Sequence, residues 1–170
     1  MITLYITQNA DLYDKVKKIY LEKFGISDAK IERTANGKPF ATADGNNLQV
    51  QFSVAHTQNF AVLAFGKTDV GVDCEKIAPR KKESVLRSFS QRERDEFNCD
   101  TDFFKNWTAK EAFVKFNGFT LASQLKNLQY VDDTLLFNGV AVNNNIIHLS
   151  VGEHLICVCA NECDTEVIYL

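Results

Sequence analysis

Apolar runs of four to nine residues recur along most of this chain, separated by short polar turns: LQVQFSV, FAVLAF, LQYV, TLLFNGVAV, IIHLSV, LICVCA and EVIYL. Runs of this length, rich in Val, Ile, Leu and Phe, suit strands and are short for stable helices. Only two segments carry a sustained helical period. Leu12, Val16, Ile19, Tyr20 and Phe24 share one face of a helix over Asp11 to Phe24, which Gly25 is placed to end. A second helix is predicted over Phe103 to Phe116, closed by Asn117-Gly118. Ser90 and Glu93 fit a capping box, starting a shorter helix that runs to about Phe97. NGKPF, Asn36 to Phe40, contains a turn dipeptide and a proline that bars regular helix. LQVQFSV and FAVLAF form a hairpin through AHTQN, Val70 to Glu75 is a short strand, and the last third reads as antiparallel strands. The whole, 1-170, is expected to be a single compact α+β domain. SVAHTQNFAVLAF and SVGEHLICVCA echo each other, as two related halves would or as any two hairpins can.

Composition narrows the class. The chain has 170 residues, 45% of them hydrophobic and 24% charged, as in a globular protein, and contains no run of about 18 apolar residues that would span a membrane. The N-terminus has neither a basic head nor a continuous apolar stretch, so it does not read as a secretory signal, and a cytoplasmic protein is expected. A net charge of −3 speaks against a nucleic-acid binder. Arg80-Lys81-Lys82 is a docking or phosphate patch, or else a solvated loop. The five cysteines are odd in number and contain no CxxC pair, so they read as reduced and structural, with Cys157 and Cys159 as core positions.

The chemistry concentrates in three places. In GVDCE, Asp73 and Glu75 leave the same face of a strand, and Cys74 the other. Paired carboxylates repel unless a cation sits between them, and hard oxygens suit Mg²⁺; an acidic, solvated strand end is the plainer alternative. In WTAKEAFVK, Glu111 and Lys115 are neighbours on one helical face, either as an ordinary ion pair or as part of a site that Glu111 completes as third carboxylate. His56 and Thr57, in the hairpin turn, and Lys38 in NGKPF carry groups that donate to phosphate oxygens, although exposed residues of these types often do nothing specific.

Four segments together resemble the 4′-phosphopantetheinyl transferase superfamily, in its longer, monomeric type that activates peptide and polyketide synthetases. They are RTANGKPF (Arg33 to Phe40), FSVAHT (Phe52 to Thr57), GVDCEK (Gly71 to Lys76) and WTAKEAFVK (Trp107 to Lys115), in the family's order. The resemblance implies a pseudo-twofold α+β fold of two related halves, roughly 1-68 and 69-170, each with a mainly antiparallel sheet packed on helices and with coenzyme A in the cleft between them. It implies Asp73, Glu75 and Glu111 as ligands of Mg²⁺, Glu111 as acceptor of the proton of a carrier-protein serine, and Lys115 as stabiliser of the leaving phosphate. It further implies Lys38 and Pro39 at the adenosine end, His56 and Thr57 at a phosphate, and Lys110 near the phosphates. The partners implied are an apo acyl, peptidyl or polyketide carrier protein and coenzyme A, with no nucleic acid, no membrane, and a monomeric state. Two features depart from the family. Ala55 stands where a serine commonly precedes the histidine, and the segment ahead of NGKPF is short, which leaves Arg33 as the candidate for the 3′-phosphate. These departures motivate a second reading, a non-catalytic relative that binds carrier protein or coenzyme A. A third would be a metal-dependent hydrolase of nucleotide pyrophosphates using the same carboxylates.

Overall fold

Two segments with a period of 3.6 and many with a period of two can bury their apolar faces together only in layers, and layers are what form. The computed structural model describes residues 1–8, 10–79 and 83–170, with the side chains of 83 and 84 excepted. The Arg80-Lys81-Lys82 cluster therefore lies outside the described residues. In chain order the elements are β1 (Ile2–Thr7), α1 (Leu12–Phe24), β2 (Lys30–Arg33), β3 (Pro39–Ala43), β4 (Asn46–Asn47), β5 (Gln51–His56), β6 (Ala61–Gly66) and β7 (Val70–Lys76). There follow α2 (Glu83–Leu86), α3 (Gln91–Asp95), α4 (Asp100–Asn117), α5 (Leu121–Gln124) and a 3-10 turn over Leu125–Asn127. The chain closes with β8 (Leu128–Val131), β9 (Thr134–Phe137), β10 (Val140–Ala141), β11 (Asn145–Val151), β12 (His154–Ala160) and β13 (Thr165–Tyr169).

One sheet has the order β13-β1-β6-β5 and another β11-β12-β7; two small sheets, β2-β3-β4 and β10-β9-β8, flank them. Alternation along the strands gives each main sheet two apolar faces. Leu4 and Ile6 of β1 with Val62 and Ala64 of β6 meet Val70, Val72 and Cys74 of β7 and Ile156 and Val158 of β12 in a core between the sheets. The far side of the first sheet, Tyr5, Leu63, Phe65 and Phe52, takes Val16, Ile19 and Tyr20 of α1. On the far side of the second sheet, Cys157 and Cys159 pack under Ala109, Ala112 and Phe113 of α4. The result is helix, sheet, sheet, helix, a mixed α+β arrangement with mainly antiparallel pairing.

The predicted elements form, with informative differences. Gly25 and Gly118 end their helices in left-handed geometry, at φ 70° and 66°. The capping box at Ser90 is present. Helix α4 begins before the predicted Phe103, because the Asp102 carboxylate accepts from the free amides of Asn98 and Cys99, both at 3.0 Å, and holds an earlier turn. The last strand departs from the antiparallel expectation. Chain segment EVIYL crosses from the second sheet back to the first and lies parallel to β1, Leu4 opposite Val167. The tips of the β5–β6 and β11–β12 hairpins touch, the rings of Phe60 and His154 stacking with centroids 4.0 Å apart.

Candidate active site

Strand β7 faces two ways. Val70, Val72 and Cys74 point into the core between the sheets, and the amide of Val72 donates to Ser53 Oγ at 3.1 Å, tying β7 to β5. The alternate residues Gly71, Asp73 and Glu75 lie towards α4. Gly71 has a strict steric reason to be glycine: a Cβ there would sit 2.0 Å from the Ala112 carbonyl oxygen and 2.5 Å from the Phe116 nitrogen. The helix therefore rests on the strand backbone to backbone. That contact carries Glu111 and Lys115, one turn apart, over Asp73.

The resulting cluster is electrostatically tight. Lys115 Nζ donates to Asp73 Oδ1 at 2.8 Å. Asp73 is 7% exposed, and its other oxygen, Oδ2, is buried without a hydrogen-bond partner. Burial raises the Asp73 pKa above its ordinary value, the neighbouring carboxylate of Glu75 adding to the rise and Lys115 opposing it. Glu111 is pushed up to about 7, first by burial and then by repulsion from Asp73 and Glu75. Burial pulls the Lys115 ammonium down, but Asp73 and Glu111 outweigh that and keep it above the usual lysine value. A carboxyl poised near neutrality is suited to exchanging protons, and an ammonium beside it to steadying an anion.

Asp73, Glu75 and Glu111 thus feel one another's charge. Among the described residues no three such side chains yet converge as a ready-made metal cage. The donor set nevertheless fits a hard divalent cation: all oxygen, mutually repelling, with one buried carboxylate oxygen unpartnered.

Beside the cluster runs a cleft of about 270 Å³, lined by Arg33, Lys38, Pro39, His56, Lys115 and Phe119, among others. Residues from distant motifs therefore share one wall. Thr57 lies just beyond that lining, its amide donating to the Phe60 carbonyl at 2.8 Å. Arg33 is half engaged within the protein, donating to Tyr13 Oη at 2.8 Å and to the Gly37 carbonyl at 2.9 Å. Tyr13 and Phe119 were not anticipated, since an aromatic residue outside a motif gives no sign of facing a cleft. Ala55, by contrast, points into the core between the sheets, so position 55 serves packing here.

One expected residue does not belong to the site. Lys110 is 0% exposed, with its Nζ 2.6 Å from Glu93 Oε1, likewise 0% exposed, and 4.2 Å from the centroid of the Phe89 ring. It cannot reach a ligand in the cleft, and its assignment to phosphate binding is corrected to a structural ion pair. Burial pulls the Lys110 ammonium below its ordinary value, with Glu93 opposing. The same Glu93 accepts from the Tyr130 amide at 2.9 Å and from the Ser90 amide at 2.7 Å. The capping box was visible in the sequence; that its glutamate would also bind a lysine on another helix was not.

A sequence model described as the 4′-phosphopantetheinyl transferase superfamily matches residues 69–159. Among curated proteins, the chain is 29% identical over 134 residues to an L-aminoadipate-semialdehyde dehydrogenase-phosphopantetheinyl transferase of Homo sapiens, covering 68% of this chain and 43% of that protein. It is 28% identical over 140 residues to the 4′-phosphopantetheinyl transferase pptA of Paxillus involutus, covering 66% and 53%. To a 4′-phosphopantetheinyl transferase of Bacillus subtilis it is 30% identical over 95 residues, covering 52% and 41%. The chain spans about half the length of the curated relatives it matches.

Proposed function

The chain belongs to the 4′-phosphopantetheinyl transferase superfamily, and from that premise we propose that it transfers the 4′-phosphopantetheine group of coenzyme A to a serine of an apo carrier protein, releasing 3′,5′-ADP. One observation carries the proposal. Helix α4 sets Glu111 and Lys115 over the buried Asp73 at the edge of a cleft that Lys38, Pro39 and His56 also line.

In this reading Glu111 accepts the proton of the serine hydroxyl as that oxygen forms its bond to phosphorus. The bond between that phosphorus and the bridging oxygen of the pyrophosphate breaks, and the charge on the departing phosphate is steadied by Lys115. His56, at the end of β5, lines the cleft and in this reading would donate to a phosphate oxygen there. Asp73, Glu75 and Glu111 would hold Mg²⁺, which would supply positive charge to offset that of the pyrophosphate. We further read 1–68 and 69–170 as related halves of one domain acting as a monomer. Matching element order supports the relation between the halves: β5-β6-β1 with α1 in the first answers β11-β12-β7 with α4 in the second.

The test is direct. Protein, coenzyme A, Mg²⁺ and an apo carrier are mixed, and the carrier's mass is followed. Wild type should add one phosphopantetheine group, while Asp73→Ala and Glu111→Ala should each cut the rate about a hundredfold or more with the circular dichroism spectrum preserved. Both variants keeping the wild-type rate would overturn the site assignment. Release of 3′,5′-ADP with no acceptor present would instead indicate hydrolysis.

A further inference from the structure

Lys38 lines the cleft, yet its ammonium is already in use. Nζ donates to Asp69 Oδ1 at 2.8 Å and to the Phe116 carbonyl at 2.7 Å, and the side chain is only 18% exposed. Phe116 lies in the last turn of α4, where carbonyls have no partner within the helix. Other carbonyls around that turn are capped as well. The amides of Gly118 and Phe119 take the Lys115 and Val114 carbonyls at 3.3 and 3.0 Å, and Asn36 Nδ2 donates to the Gly118 carbonyl at 3.1 Å. Gly118 packs against Lys38 itself, so closely that a Cβ there would meet Lys38 Cδ at 3.2 Å. The turn before β3 therefore completes the C-terminal cap of α4 from 78 residues away, with a cation at the negative end of the helix dipole.

We propose that Lys38 is a positioning residue: a strut that locks the last turn of α4, and with it Lys115, against the wall of the cleft through Asp69 and the Phe116 carbonyl, rather than a ligand for a phosphate. Its effect on transfer rests on the transferase reading above; its effect on α4 does not.

Lys38→Met keeps the aliphatic stem and removes the ammonium. Asp69→Asn weakens the strut from a residue outside the cleft lining, and the double variant closes the cycle. Three readouts apply: amide hydrogen exchange over residues 112–119, the coenzyme A dissociation constant by titration, and steady-state transfer. The strut predicts faster exchange in the last turn of α4 in both single variants and a double variant no worse than Lys38→Met. It also predicts a fall in kcat of about ten- to a hundredfold with the affinity for coenzyme A held within about threefold. Unchanged exchange in Lys38→Met, with a large loss of coenzyme A affinity and a silent Asp69→Asn, would overturn the strut in favour of a phosphate contact. If wild type modifies no carrier, the transferase reading fails, and exchange and titration still decide the role of Lys38.

Discussion

Lys110 and Lys115 stand five residues apart on one helix and have opposite fates. Five residues turn an α-helix by about 140° past a full revolution, so the two side chains leave on different sides. One side is sealed: Lys110 meets Glu93 in the interior, where removing either partner would strand the other at a cost of about 3–5 kcal/mol. The other opens to the cleft, where Lys115 holds Asp73. A string such as WTAKEAFVK reveals the period of the helix but not which lysine finds a buried acid; that depends on α3 and β8 closing over one side. The carboxylates were easier to read, because alternation alone puts Asp73 and Glu75 together. Their crowding has a measurable sign. Glu111 titrates near 7 in the folded protein against 4.5 ordinarily, so the stability it contributes is complete below about pH 4.5 and is lost as pH rises through 7. Glu111→Gln should therefore be more stable than wild type at pH 8, by up to about 3 kcal/mol, with the gain gone by about pH 4 in urea titrations. Added Mg²⁺ should narrow the gap at pH 8 if the three carboxylates bind it, because a cation favours their ionised forms.

At the scale of elements, the site depends on how near α4 can come to β7. Ala109 and Ala112 are fully buried on the helix, and Gly71 on the strand lies against the backbone of Ala112 and Phe116. Gly71→Ala should unfold at markedly lower denaturant, a loss of about 3 kcal/mol or more, since the added methyl meets backbone atoms that cannot rotate away. Any folded fraction should transfer slowly, with Glu111 and Lys115 lifted from Asp73. An effect under about 1 kcal/mol would mean that the helix can slide at no cost. Most element positions were legible: glycine at both helix ends, Ser90 with Glu93, and the alternating strands. The early start of α4 was not, because Asp102 reads equally well as an exposed helical acid. Nor was the direction of EVIYL, which follows from the crossing between sheets and leaves no local mark.

Across the whole molecule, what the sequence left open was which runs become neighbours. Periodicity fixes faces, whereas the orders β13-β1-β6-β5 and β11-β12-β7 depend on contacts far apart in the chain. The cysteines sample those layers separately. Cys74 lies between the sheets and Cys157 and Cys159 beneath α4, while Cys99 and Cys163 are exposed. Burial pushes the Cys74 and Cys159 thiols up to about 12, with Cys157 also raised, which leaves almost no reactive thiolate at neutral pH. An alkylating reagent should accordingly mark Cys99 and Cys163 within the first moments and the remaining three far more slowly, as followed by peptide mass spectrometry. Early capture of Cys157 and Cys159 ahead of Cys74 would report the helix lifting away; simultaneous capture of all three would report global opening. The native chain thus has thiol reporters between its sheets and beneath α4, and the order in which they react tells which of those two layers opens first.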